Sequence, residues 1–347
     1  MAEVRISDDD SRTSRTHPTL GVGGGAVPGG GGVRPGQWRM VALIGGVVLA
    51  SLAFLLLGTQ GRPDLLVPMR LERLAPIVVV GIAVAVSSVA FQTVTANRIL
   101  TPSIMGLDAL YALIQTVAIW GFGSAAVGAT DPILRFVFET AALVGFAALL
   151  YRVVLGRMGR SVYLLVLIGI VLGTLFRSAS TFFQRVIDPN EYLIVVDRMF
   201  ASFSGVDARL LLAAALLTGA GCAYLWHVRH ELDVLTLGRD NAVALGISHR
   251  QLTSRVLLAC TLLVGAATAL VGPITFLGLL VANLTYSVAS SQRHSTLLPT
   301  AALLGVLLLV GGQAILERIL GMGTVVAVVV EFVGGILFLF LLARGKA

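Results

Sequence analysis

Stretches of about twenty apolar residues recur along most of this chain, and each is long enough to cross the roughly 30 Å of hydrocarbon in a bilayer. They fall near 40–58, 75–94, 106–126, 133–155, 162–180, 208–227, 253–271, 274–292, 297–316 and 324–343. Hydrocarbon offers no partner for a backbone N–H or C=O, so single spans of this kind must be helices that satisfy their own backbone. The expectation is an all-α polytopic membrane protein with about ten transmembrane helices. Residues 256–290 are apolar almost without interruption, and one helix of that length would overshoot the membrane. The break is therefore placed at Gly272 and Pro273, where proline removes a donor and crowds the preceding turn.

Of the 347 residues, 56% are hydrophobic and 12% charged, against about a quarter charged in soluble domains. In such a chain the formal net charge of +7 points to basic loops facing anionic membrane lipid, not to nucleic acid. The basic side chains are all arginine except Lys346, and no GxxxxGK[ST] sequence occurs. A phosphate-binding loop needs that lysine, so any ATP chemistry must come from another subunit. Cys222 and Cys260 sit inside apolar runs and read as small core residues. No HExxH, GxSxG or paired-carboxylate pattern lies at a plausible depth, so neither an enzyme, a metal nor a cofactor is expected.

Residues 1–38, with Asp8–Asp10 and a glycine-rich run, cannot build a core and read as a disordered leading tail. Residues 39–347 form the expected membrane domain. With both termini in the cytoplasm, most basic residues fall on cytoplasmic segments, as orientation by positive charge requires. That orientation also puts the polar interval 229–255 in the cytoplasm, between the sixth and seventh spans. Within it, Asp240 and Asn241 stand where a helix cap is expected, Ala242, Leu245 and Gly246 form a small-residue face, and Gly246 marks a stop. The reading is a short helix outside the membrane that serves as a docking surface.

Polar residues at membrane depth are costly. Arg135 and Glu139 are four apart and can neutralise each other on one helix face. Glu331 has no local partner; it either faces a translocation cavity or bonds a neighbouring helix. Gln92, Ser178 and Asn283 either line a polar path or join helices to one another.

Four stretches resemble the permease subunits of iron–siderophore, haem and cobalamin ABC importers, the FecCD type. Arg70-Leu71-Glu72-Arg73 resembles an R-x-P-R entry to the second span, with Glu72 at the proline. QTVTANRILTPSIMG, from Gln92 to Gly106, resembles Q-x4-N-P-L-A-x-P-x-x-L-G; Gln92, Asn97, Pro102 and Gly106 are in register and Arg98 replaces the first proline. LTLGRDNAVALGI resembles the L-x-L-G-x-x-x-A-x-x-L-G-[VI] of the cytoplasmic loop. GPITFLGLLVANLTYSV resembles G-x-I-x-F-[VL]-G-L-[IV]-V-P-H-x-x-R, with Ala282, Asn283 and Tyr286 at the proline, histidine and arginine. Asn in place of His is similar to a ferric-siderophore branch; haem or cobalamin permeases are the alternative, and an ion-coupled secondary transporter is the rival of another class.

The resemblance implies ten helices with spans 2–5 and 7–10 related as an inverted repeat, in the cytoplasmic membrane of a bacterium. It implies a second permease chain, identical or homologous, two ATP-binding subunits below, and a solute-binding lipoprotein or periplasmic protein above. Leu237, Gly238, Ala242, Leu245 and Gly246 would couple to the ATPase, and Arg70, Arg73 and Arg318 would receive carboxylates of the binding protein. Gln92, Asn97, Pro102, Gly106, Ser178, Asn283 and Glu331 would belong to the translocation path or its gate.

Overall fold

The computed structural model describes residues 35–56, 63–157 and 162–319, with short pieces at 329, 332–336 and 339. All described helices belong to the body that begins at Pro35; of the expected tail, residues 1–34 lie outside the described residues and 35–38 are already helical. In chain order the helices are α1 (Pro35–Leu56), α2 (Pro63–Thr95), α3 (Leu107–Phe122), α4 (Ser124–Ala129), α5 (Pro132–Arg157), α6 (Val162–Val186) and α7 (Pro189–Met199). They continue as α8 (Ala208–His227), α9 (Arg229–Leu235), α10 (Arg239–Ala244), α11 (His249–Val271), α12 (Leu277–Val288) and α13 (His294–Ile319). Among the described residues there is no strand.

Among the described residues, seven helices are long and apolar enough to cross a membrane: α1, α2, α5, α6, α8, α11 and α13. The third and eighth expected spans are shorter apolar helices, α3 and α12. Each is short because irregular chain precedes it. After α2, residues 96–101 and a tight turn at Pro102–Met105 come before α3; after α11, residues 272–276 come before α12. Irregular backbone at membrane depth survives only where protein buries it, and here Pro102, Met105, Gly106 and Ile274 are all buried. The expected span 106–126 ends at Gly123, where the chain bends into α4. Most of the tenth expected span, 324–343, is outside the described residues.

Helices α2 and α11 form the centre and are the most buried of the spanning helices. Small residues bring helices together there. A Cβ added at Gly81 in α2 would lie 3.0 Å from the backbone of Gly305 in α13, and one at Gly173 in α6 would lie 2.9 Å from the Cα of Gly106. In a bilayer such backbone contact supplies the dispersion and packing that the hydrophobic effect cannot. Helix α2 packs on α13 as α11 packs on α5. The start of α3 rests on α6 through Gly106 and Gly173, as the start of α12 rests on Gly334 through Phe276. Those paired contacts are the ones expected when spans 2–5 and 7–10 repeat one another.

Aspartates cap two helices here: Asp188 accepts from Asn190 N at the start of the short α7, and Asp207 accepts from Arg209 N at the start of the spanning α8. The polar interval expected outside the membrane follows α8 directly, as α9 and α10, and leads into α11.

Candidate functional site

Helices α9 and α10 are joined by a turn at Thr236–Gly238 and closed by a second turn at Gly246. Gly238 has φ +91° and Gly246 φ +84°, while a Cβ at either would meet nothing within 4 Å. Glycine is needed there for its left-handed backbone, not for space. The cap differs from expectation: Gly238, not Asp240 or Asn241, starts α10, its carbonyl accepting from Ala242 N at 3.0 Å. Asn241 instead donates back to the Leu237 carbonyl at 2.8 Å, which braces the turn.

Burial divides the loop into an anchor and a surface. Leu232, Leu235 and Ala242 are buried, and Ala242 is 0% exposed. Ala242 therefore seats α10 on its own chain and is unavailable to a partner. Leu237, Val243 and Leu245 are 56%, 53% and 63% exposed. These three form an exposed apolar patch on an otherwise polar loop, of the kind that marks protein–protein contact sites. Val243 completes that patch and escaped the sequence reading, because a single valine in a polar loop carries no periodic signal. A groove of about 310 Å³ runs beside α10, bordered by Val243, Arg239, His249 and Leu155.

Next to α9 and α10 lies a cleft of about 320 Å³ lined by Gln92, Asn97, Arg98, Gly238, Tyr286 and His294, among others. Three stretches far apart in sequence thus meet at one end of the bundle. Asn97 shapes its own loop by accepting from Ile99 N at 2.9 Å. Gln92 is 2% exposed, and neither its amide nitrogen nor its oxygen has a hydrogen-bond partner. A buried amide left unpaired is costly, and this one borders the cleft. The guanidinium of Arg98 stacks over the Tyr286 ring, 4.6 Å from its centroid.

His294, fully buried, ties this cleft to α9. Its Nδ1 is 2.6 Å from Asp233 Oδ1, and its backbone N–H donates to the same oxygen at 2.7 Å. Its Nε2 is 2.7 Å from Thr93 Oγ1. Neither His294 nor Asp233 stood out in sequence, since each reads as an ordinary polar residue at a span end.

The other expected site residues are dispersed. Pro102 and Gly106 are buried under α6 and shape the broken span. Ser178 is exposed on α6. Asn283 donates to Leu279 O in its own helix at 2.9 Å and does not border the cleft. Glu331 lies outside the described residues, as does the side chain of Arg318. At the end of the bundle opposite α9, Arg70 donates to the Phe54 and Leu55 carbonyls at 3.0 and 3.3 Å, closing the end of α1. Arg73, half-buried, stands one turn further along α2.

Arg135 and Glu139 do pair, at 3.6 Å. The pair belongs to a larger network in which Gln115 donates to Glu139 at 2.6 Å and Arg198 of α7 donates to Gln115 at 2.9 Å. Glu191 also accepts from Ser124 N at 2.8 Å. Together these bonds fasten α7 to α3, α4 and α5. Among the described residues no cluster of His, Cys, Asp and Glu could hold a metal.

Comparison with known proteins agrees with this architecture. The model of the FecCD transport family matches residues 46–344. The petrobactin import system permease protein YclO of Bacillus subtilis is 41% identical over 88% of this chain and 96% of its own. The petrobactin import system permease protein FatC of Bacillus anthracis is 31% identical over 81% and 79%. The vitamin B12 import system permease protein BtuC of Vibrio cholerae is 31% identical over 80% and 82%. Among solved structures, a metal-chelate type ABC transporter in an inward-facing conformation superposes with a TM-score of 0.78 at 22% identity, over 89% of this chain and 99% of that one. The chain belongs to the FecCD transport family, as the membrane-embedded permease component of an import system and not as an enzyme.

Proposed function

We propose that this permease carries a ferric siderophore across the cytoplasmic membrane of a bacterium, with both termini in the cytoplasm and ATP hydrolysis supplied by partner subunits. Two ATP-binding subunits dock on Leu237, Val243 and Leu245, a second permease chain completes the pathway, and a solute-binding lipoprotein or periplasmic protein docks at the opposite end on Arg73 and Arg318. Arg can fork two hydrogen bonds to a carboxylate and so orient a docked lobe. The observation that carries the reading is the convergence of the exposed apolar loop with the Gln92–Arg98 stretch around one cleft. It gives a partner's closure somewhere to act.

The relative at 41% identity, matched over 96% of its length, is named for petrobactin, which favours a siderophore over haem or cobalamin. Neutralisation of Glu139 by Arg135 within a hydrogen-bonded network supports a structural place for that pair and weakens the ion-coupled alternative. The test is uptake of radio-iron-labelled ferric petrobactin in cells lacking the partner ATPase gene, with membrane potential held constant. Uptake is expected to stop; uptake that persists overturns the reading.

A further inference from the structure

We propose that Asp233, His294, Thr93, Tyr286 and Arg98 form a side-chain linkage that carries movement of the ATPase-docking loop to the loop bearing Asn97; this rests on the import reading above. The five residues come from five segments: α9, the first residue of α13, the last turn of α2, the last turn of α12, and the 96–101 loop. Only the fold brings them together.

Each joint is specific. The buried imidazole of His294 is held on both edges, by Asp233 at 2.6 Å and by Thr93 at 2.7 Å. The Asp233 oxygen also takes the His294 backbone N–H at 2.7 Å, so α9 and α13 share one carboxylate. A ring bonded on opposite edges cannot turn without losing a bond, and in a buried site a lost bond is expensive. A shift of α9 must therefore drag the end of α2 with it. Thr93 passes the movement into the 96–101 loop through its own backbone, whose carbonyl accepts from Ala96 N at 3.2 Å, and Tyr286 borders the same cleft. The Tyr286 ring lies under the Arg98 guanidinium at 4.6 Å, within the range of an attractive cation–π contact. Arg98 is the immediate neighbour of Asn97.

The last joint unites two departures from the family pattern. Proline is expected at position 98 and arginine at 286; this chain has Arg98 and Tyr286. A proline at 98 has no charge to offer a ring, and an arginine at 286 has no ring to offer a charge. The two substitutions make sense as a pair, one supplying the cation and the other its platform. Among the described residues Arg98 forms no ion pair, so the ring is its anchor. The linkage follows the lining of a cleft, where open space interrupts packing between the docking loop and the 96–98 segment.

The complete importer in proteoliposomes, loaded with its binding protein, provides the test. Uptake of radio-iron-labelled ferric petrobactin and ATP hydrolysis are measured in the same vesicles, and their ratio is the readout. Asp233→Asn and the near-isosteric Thr93→Val are each expected to lower transport per ATP by about tenfold, with the double variant no worse than the poorer single. Arg98→Pro and Tyr286→Arg are each expected to lower the ratio, and together to restore most of it; Tyr286→Phe keeps the ring and the Arg98 joint. A merely structural role would reduce the amount of assembled complex and leave the ratio alone. An unchanged ratio in Thr93→Val, or singles whose effects multiply in the double, overturns the linkage while leaving the import reading intact. Absence of ATP-dependent uptake by the wild-type complex overturns both.

Discussion

The two ends of the bundle spend their side chains in opposite ways. At the α9–α10 end the apolar residues Leu237, Val243 and Leu245 are left exposed, while the polar residues connect one element to another around a cleft. At the far end the charged groups are engaged internally: Arg70 closes α1, Glu191 holds the start of α4, and Arg198, Gln115, Glu139 and Arg135 fasten α7 to α3 and α5. Under the proposed function, one end is gripped and moved while the other holds its shape for the binding protein. The difference teaches that in a chain with so few charges, position in a network says more about a residue's task than its chemical type.

The joint between the two ends should be the most sensitive place. In Gly305→Leu the new Cβ would sit 2.7 Å from the Ala85 Cβ and against the Gly81 backbone. Overpacking of that kind costs about 1–3 kcal/mol or more, and loss of nearly all folded permease from the membrane is expected, measured by fluorescence-detected gel filtration. Normal amounts of monodisperse protein would mean that the two ends are not held by this crossing.

Next in size is the exposed patch. Leu245→Asp and Val243→Asp place a charge where an apolar contact is proposed, and burial of one such side chain contributes about 1.5–3 kcal/mol. Co-purification of the ATPase is expected to fall about tenfold or more while the permease stays folded. Undiminished capture would show that this end is not the one that is gripped.

A smaller effect is expected from Gly246→Ala, because φ +84° forces alanine into a left-handed conformation costing about 1–2 kcal/mol. Uptake should drop a few-fold and the melting temperature by a few degrees. A Gly246→Ala permease indistinguishable from wild type would mean that the turn relaxes to another geometry. The smallest is Arg70→Ala, which removes two hydrogen bonds to the end of α1 for about 1 kcal/mol. Thermal stability should fall slightly, whereas Arg73→Glu should chiefly weaken capture by the binding protein. If Arg70→Ala instead abolishes that capture, the far end is not internally engaged and the contrast between the ends collapses.

Much of the fold could be read from hydropathy, because each helix buries itself in lipid residue by residue and leaves a local record. The breaks before α3 and α12 were signalled by Pro102 and by Gly272 with Pro273, although the length of each short helix was not. The docking loop was legible as a polar interval with glycine at both turns. Its inward and outward faces were not, since α10 is only six residues long and shows no helical period; Ala242 turned out to be buried and Val243 exposed. Ser178 and Asn283 looked alike as polar residues in spans, yet one faces out of the chain and the other bonds its own helix.

By itself, then, the sequence determined that the chain is an all-helical membrane protein, that it lacks its own phosphate-binding loop, and that its motifs are those of the FecCD family. These are properties of local composition and order. The tertiary structure alone decided that Gln92, Asn97, Arg98, Tyr286 and His294 share one cleft, that Asp233 is bonded to His294, and that Arg98 stacks on Tyr286. Asp233 and His294 are 61 residues apart, and Arg98 and Tyr286 lie on different sides of the α8–α11 segment. Contacts across such separations depend on how helices pack against one another, and no single stretch of sequence records that.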